Sequence, residues 1–456
     1  MRGGLVVGAG ILAGNITGFF RIAVQAYYLG THARADALSV AIGPIDTLNG
    51  AIVNTMLVSF VPMLMLRPAE QRAALFARAS RIFFCILAAG SAAVAALAPL
   101  LISLMGPGLA VEQHDQAVLL LRLVAPATLF AGGSAIYAAL LYTERRFVAP
   151  ALYQACLNGA TIIAAISLWR VMGVKGFAVG YTVGAFIQLA LTWSVSRDLR
   201  EQVRQSRGPK IALREILGRP SMFLIYAGLI AANILVTRAF ATHAGPGMAA
   251  AFDYCLRLVS VVVAYMVYPV ANSLLPEIAR LRGANQTENA YKLIDRSVGL
   301  MAVAAVASCA VAILLRTPVI RLLFERGNFT PESTLLVSAV FLGFAPSIVG
   351  WALMDLISRC SFALDRPRLP LIAAGIPVTI NLLIMMSLRG RSNPTLSGLG
   401  ASIGLLAGFL WLFVAAHLRR PASAAPSHVP EADDEERGER QNHPADFAET
   451  ASEKFQ

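Results

Sequence analysis

Apolar runs of about 20 residues recur along the chain between short polar stretches. They fall at roughly 6–29, 36–65, 80–104, 116–142, 148–169, 176–196, 221–242, 248–277, 294–315, 333–358, 368–388 and 397–417. Each is long enough to cross a hydrocarbon core of ~30 Å as a helix. Only helices or closed barrels satisfy backbone polar groups in lipid, and the alternating pattern of barrel strands is absent. The chain reads as an all-α integral membrane protein of about 12 transmembrane helices. Its first run follows Met1-Arg2 as a signal peptide would, but it lacks a small-residue cleavage site and Arg21 interrupts it. That favours a retained helix.

A repeat lies inside this pattern. Ala125-Pro126, Tyr142, Arg146 and Pro150 recur as Ala345-Pro346, Phe362, Arg366 and Pro370, each 220 residues later. Pro99 and Pro318 are 219 apart, and the Ser-x-x-Pro steps at Ser59/Pro62 and Ser273/Pro276 are 214 apart. Two halves of like design, each crossing several times, suit a transporter with a central site and two alternating openings. With six runs per half, both halves start on the same side. They are then parallel repeats around an axis along the membrane normal, forming two six-helix lobes about a central cavity. The expected division is an N-terminal lobe over 1–200, a basic linker over 201–219, a C-terminal lobe over 220–418 and a disordered acidic tail over 419–456.

Charge placement sets the orientation. Loops after even-numbered runs carry 22 Lys and Arg, from Arg67, Arg72, Arg78 and Arg81 to Arg419 and Arg420, while loops after odd-numbered runs carry 8. The positive-inside rule places both termini in the cytoplasm. The formal charge of +12 is therefore a topological signal and requires no nucleic acid. Only 14% of the 456 residues are charged and 57% are hydrophobic, against roughly a quarter charged in soluble proteins. Cys85, Cys156, Cys255, Cys309 and Cys360 fall in or beside apolar runs without paired spacing and read as small core residues. No metal-ligand spacing or phosphate-binding loop is present, so neither a metal nor another cofactor is expected, and the chain does not read as an enzyme.

Ionisable residues inside membrane spans cost several kcal/mol and usually face a bundle interior or a wet cavity. Arg21, Asp36 and Asp46 lie in the first half, and Arg238, Asp253, Arg257 and Asp355 in the second. Most sit in runs 1, 2, 7 and 8, which are equivalent under the repeat and are expected to line a central cleft. Arg21 and Arg257 converging there would offer guanidinium forks to phosphate oxygens. The candidate substrate residues are Arg21, Asp36, Arg257, Asp253, Arg238 and Asp46, and Asp36, Asp253 and Asp355 are candidate protonation sites. Plainer readings stand beside these. Asp253 and Arg257, four apart, can pair with each other, and Arg21 can snorkel to the outer interface. Pro44, Pro126, Pro269 and Pro346 are candidate kinks.

At these residues the chain resembles the MurJ/MviN family of lipid II flippases, within the multidrug/oligosaccharidyl-lipid/polysaccharide exporter superfamily. The resemblance runs over nearly all of residues 1–418. It is carried by Gly18-Phe19-Phe20-Arg21, by Gly30 to Ala35-Asp36-Ala37, by Phe60-Val61-Pro62 and by Tyr254-Cys255-Leu256-Arg257-Leu258 followed by Leu275-Pro276. The most specific piece is Leu323-Phe324-Glu325-Arg326-Gly327-Asn328-Phe329-Thr330, with Arg359, Phe362, Ala363, Arg368 and Pro370 after it.

What this resemblance implies is a flippase that moves undecaprenyl-pyrophosphate-linked peptidoglycan precursor from the inner to the outer leaflet of a bacterial cytoplasmic membrane. The implied partners are that lipid-linked glycan, membrane lipids and cell-wall synthesis proteins. Arg21 and Arg257 would hold the pyrophosphate, and Asp36 would keep the family's acidic position. Several positions depart from the family pattern. Asn15 stands for an arginine, Ile22 for an aspartate, Leu48-Asn49 for an arginine pair and Val53-Asn54 for a Glu-Gly step, and about twelve spans replace the family's fourteen. Alternatives therefore stay open: another undecaprenyl-linked saccharide as cargo, for exopolysaccharide or O-antigen, or a non-transporting cell-wall scaffold. Drug or cation antiport fits less well, because two arginines in a cavity repel cations.

Overall fold

Residues 2–56, 60–205, 213–388 and 393–418 are described by the computed structural model. Ser59, Arg207, Lys210, Arg389, Arg391, Arg419, Arg420 and the acidic tail lie outside them. A first series of helices comprises α1 (Arg2–Leu29), α2 (Ala33–Thr55), α3 (Val61–Met65), α4 (Ala69–Ala96), α5 (Ala98–Met105), α6 (Val111–Val124), α7 (Pro126–Thr143), α8 (Val148–Met172) and α9 (Lys175–Val195). After the short α10 (Arg197–Gln205), a second series comprises α11 (Leu213–Ala241), α12 (Met248–Gly283), α13 (Thr287–Leu314), α14 (Arg316–Phe324), α15 (Pro331–Phe344), α16 (Ser347–Ala363), α17 (Arg368–Ser387) and α18 (Leu396–Leu418). No strand occurs among the described residues. The expected apolar runs fall on single long helices or on two successive helices, and residues 57–59 of the run over 36–65 lie outside the described residues.

The duplication reaches fine detail. Helices α6 and α15 start at 111 and 331, and both end one residue before an Ala-Pro step, at Val124 and Phe344. The carbonyl at that step receives a side chain in each copy: Ser91 Oγ donates to Ala125 O at 2.9 Å, and Cys309 Sγ approaches Ala345 O at 3.5 Å. The turns before α8 and α17 each hold a residue with positive φ, Arg145 at 56° and Asp365 at 60°. The next residue then donates its amide five residues back, Arg146 to Leu141 and Arg366 to Ser361, both at 2.9 Å.

Packing repeats as well. Helix α1 lies on α8 as α11 lies on α17, α8 on α9 as α17 on α18, and α7 on α9 as α16 on α18. Small residues permit this closeness, since lipid supplies little hydrophobic drive between helices. A Cβ at Gly184 would sit 2.6 Å from the Leu157 carbonyl, and one at Gly404 would sit 2.7 Å from the Pro377 carbonyl. Between the series, α2 lies against α11 and α12, and α1 touches α12 and α14. One large apolar cluster runs through both series, while a smaller one gathers Phe60, Phe76, Phe83 and Leu140 within the first.

By length and composition, nine helices of the described residues can cross a membrane, or ten if the pair α15 and α16, bent by 47°, counts as one. Helix α2, which carries Asp36 and Asp46, falls outside that set. Of the four candidate prolines, Pro346 stands at this bend. Helices α2 and α12 continue through Pro44 and Pro269, and Pro126 opens α7 within one apolar stretch, Val111–Thr143.

Replacing Gly184 or Gly404 by alanine would push a methyl into an opposing carbonyl in each copy. Overpacking of this kind costs about 1–3 kcal/mol. Both variants should melt earlier than the parent protein in detergent, with similar shifts.

Candidate functional site

Arg21 on α1 reaches across to α2, where its Nη2 donates to Asp46 Oδ2 at 2.7 Å. The side chain is only 11% exposed, so it does not snorkel to the interface. Asp46 accepts a second bond from the Tyr181 hydroxyl of α9 at 2.8 Å, and Asn49 Nδ2 donates to that hydroxyl at 3.3 Å. The guanidinium also lies 5.4 Å from the centre of the Tyr181 ring, a cation–π distance. Asn49 is one of the positions that depart from the family pattern, and it is absorbed into this network.

Arg257 on α12 approaches the same stretch of α1. Its Nη2 donates to the Asn15 carbonyl at 2.7 Å, and it fits because residue 18 has no side chain. A Cβ at Gly18 would sit 2.4 Å from that nitrogen. The two guanidinium groups are thus held against α1 within about a turn of each other, one from each series. Arg21 Nε and Arg257 Nε are buried without a protein partner. With Asp46, the cluster carries a formal charge of +1.

The other candidates are used differently. Asp253 pairs with Arg238 of α11 and not with Arg257: Arg238 Nε and Nη2 donate to Asp253 Oδ1 at 3.0 and 2.6 Å. Arg238 is 2% exposed and Asp253 is 12% exposed. The guanidinium packs onto α2 at Gly43, where a Cβ would come within 2.4 Å of it. Both second-series arginines therefore rest on glycines of the first series. Asp36 is a buried cap: Oδ2 accepts from Gly247 N at 2.5 Å and Oδ1 from Ala250 N at 3.0 Å. A carboxylate at a helix N-terminus satisfies free amides and opposes the helix dipole, so Asp36 ties the start of α2 to the start of α12.

That tie belongs to a wider closure at one end of the bundle. Thr31 Oγ1 lies 2.8 Å from Ser333 Oγ, and the Tyr254 hydroxyl donates to Gly30 O at 2.7 Å. The Leu323–Thr330 motif provides the rest. Asn328 donates through its amide to Tyr27 O at 2.8 Å and through Nδ2 to Tyr28 O at 2.7 Å, while Phe324 and Phe329 bury beside Tyr254. Thr334 Oγ1 donates to Glu325 Oε2 at 2.7 Å. That hydroxyl, with Arg321, holds the Glu325 carboxyl below its ordinary range.

Toward the other end lies a cavity of about 590 Å³ among α2, α11, α12, α16 and α18. None of the six expected substrate residues lines it. Its polar groups include Asp355 and Arg359, whose Nε lies 3.1 Å from both carboxylate oxygens, and Asn54, Tyr226 and Tyr268. In the sequence Arg359 stood out only as part of the family motif, and Tyr181, Tyr226 and Tyr268 had no role. The four-residue spacing of Asp355 and Arg359 was the available signal.

The family model described as "Lipid II flippase MurJ" matches residues 25–428. The chain belongs to the MurJ family. A relative from Rhizobium meliloti, named a probable lipid II flippase MurJ, is 27% identical over 423 residues, covering 89% of this chain and 77% of its own length. One from Chlamydia muridarum with the same name is 23% identical, covering 82% and 70%. Among solved structures, lipid II flippase MurJ in an inward closed conformation superposes with a TM-score of 0.78 at 21% identity, covering 91% of this chain and 87% of that one. An inward-facing multidrug resistance transporter of the MATE family reaches 0.76 at 13% identity, covering 88% and 95%. The chain shares its fold with both structures, and the protein is a multi-pass membrane protein.

Removing one member of a buried pair strands the other charge, which costs about 3–5 kcal/mol. Asp253→Asn should therefore lower the melting temperature in detergent strongly. The double variant Arg238→Met with Asp253→Leu should recover much of the loss.

Proposed function

We propose that this chain is a flippase that carries undecaprenyl-pyrophosphate-linked peptidoglycan precursor from the inner to the outer leaflet of a bacterial cytoplasmic membrane. It acts as a transporter and not as an enzyme, with twelve crossings, both termini in the cytoplasm, and lobes at 1–200 and 220–418 joined by the basic linker. The observation that carries this reading is the meeting of Arg21 and Arg257, one from each series, against a single stretch of α1. Each keeps a buried donor without a protein partner, as an anion-binding site requires. Membership of the MurJ family supplies the substrate class.

The mechanism is alternating access. The closure around Thr31, Asp36, Asn328 and Ser333 seals the end assigned to the outside, while Asp355 and Arg359, 23% and 31% exposed, remain within reach of solvent nearer the other end. Headgroup phosphates settle at Arg21 and Arg257, the polyprenyl tail stays in lipid, and the seal then parts. A membrane potential can bias this cycle, because moving one charge through ~100 mV is worth about 2.3 kcal/mol.

A second reading, export of a different undecaprenyl-linked saccharide, draws on Asn15 and Leu48-Asn49, which stand where the family carries arginines.

Expression in bacteria depleted of their own lipid II flippase should restore growth, and Arg21→Ala and Arg257→Ala should each abolish the rescue at normal membrane levels. No rescue by the parent chain would favour the second reading. Full rescue by both variants would show that transport does not depend on this arginine pair. Independently, Thr31→Cys with Ser333→Cys should form a disulfide that arrests transport, and reductant should restore it.

A further inference from the structure

The cavity beside the arginine cluster has chemistry of its own. Its volume, about 590 Å³, lies within the ~300–1,000 Å³ range of small-molecule sites. Trp351, Tyr226 and Tyr268 supply aromatic surface, and Asn54, Asp355 and Arg359 supply polar groups. Arg359 meets Asp355 through Nε alone, which leaves both Nη groups for another acceptor, and its guanidinium lies 5.2 Å from the Tyr268 ring centre. The ion pair has no net charge, and its carboxylate repels phosphate. Ring faces paired with an internally neutralised set of donors and acceptors suit a polyhydroxylated, uncharged ring, whose C–H face lies on an aromatic while its hydroxyl and acetamido groups bond at the edge.

We propose that this cavity is a saccharide subsite that takes the amino-sugar rings of the transported headgroup, separate from the phosphate-binding arginines. Thr47 lines the cavity, and its neighbour Asp46 holds Arg21, so the two sites adjoin along α2. A headgroup can then lay its diphosphate on α1 and its sugars between α2, α11, α12 and α16. This rests on the flippase reading for its ligand class, but its test does not depend on transport.

The probe is N,N′-diacetylchitobiose, an uncharged amino-sugar disaccharide, added to the purified full chain in lipid nanodiscs. Ala231→Cys places a thiol on the cavity wall, and the sugar should slow its alkylation by a maleimide at least about tenfold, read by mass spectrometry at that residue. Inorganic pyrophosphate should leave the rate unchanged. Adding Asp355→Asn and Tyr268→Leu should remove the protection while the melting temperature stays near the parent value. Should those changes prevent folding, Trp351→Leu provides the same comparison. Absence of protection by the sugar, protection surviving these substitutions, or protection by pyrophosphate would each overturn the proposal. Growth rescue without sugar protection would sink this inference alone. Sugar protection without rescue would keep the subsite and remove the lipid II reading.

Discussion

Charge inside a hydrocarbon slab has to be neutralised or hydrogen-bonded within a few ångströms, and the centre of this molecule is arranged around that demand. Arg21 takes Asp46, Arg238 takes Asp253, Asp36 takes two amides of α12, and Arg257 takes a carbonyl of α1. The first two pairs join consecutive helices, whereas the last two reach across 211 to 242 residues of chain. Three of these groups, Asp36, Arg257 and (through Gly43) Arg238, bring the two series together. Helix α2, which carries Asp36 and Asp46, is consequently gripped by α11 and α12. The proposed anion site and the joint between the series are therefore one construction.

The long helices were legible in the sequence because burial in lipid leaves an uninterrupted apolar record. The breaks at Leu97, Ala125, Leu315 and Ala345 were not, since a broken span has the same composition as a continuous one; only the Ala-Pro steps hinted at two of them. Within the site, the charged residues stood out against their apolar surroundings, but their pairing did not. Four-residue spacing suggested Asp253 with Arg257, whereas the inter-helix geometry gives Asp253 to Arg238. Tyr181 resembled any aromatic of a membrane helix until its hydroxyl was found on Asp46. Gly18 and Gly43 were the overlooked clues, because a guanidinium can lie flat on a neighbouring helix only where that helix lacks a side chain.

Duplication explains why so much of this precision comes in pairs. The close approaches at Gly184 and Gly404, the left-handed residues Arg145 and Asp365 and the capped carbonyls of Ala125 and Ala345 recur at nearly constant spacing. They belong to the scaffold, where both copies face the same packing problem. The ionisable residues recur only in part: Arg238 and Asp253 stand 217 residues after Arg21 and Asp36, whereas Asp355 and Arg359 fall opposite Ala135 and Ala139 at the 220-residue offset. The scaffold has stayed symmetric while part of its chemistry has diverged.

Apart from the buried Asp36 carboxylate, the seal that joins Tyr27, Tyr28, Gly30 and Thr31 to Tyr254, Asn328 and Ser333 consists of amides, carbonyls and hydroxyls. Dissolved ions screen exposed charges over about 8–10 Å but have little hold on dipoles of this kind. The barrier such a gate presents is accordingly nearly the same in dilute and in saline surroundings.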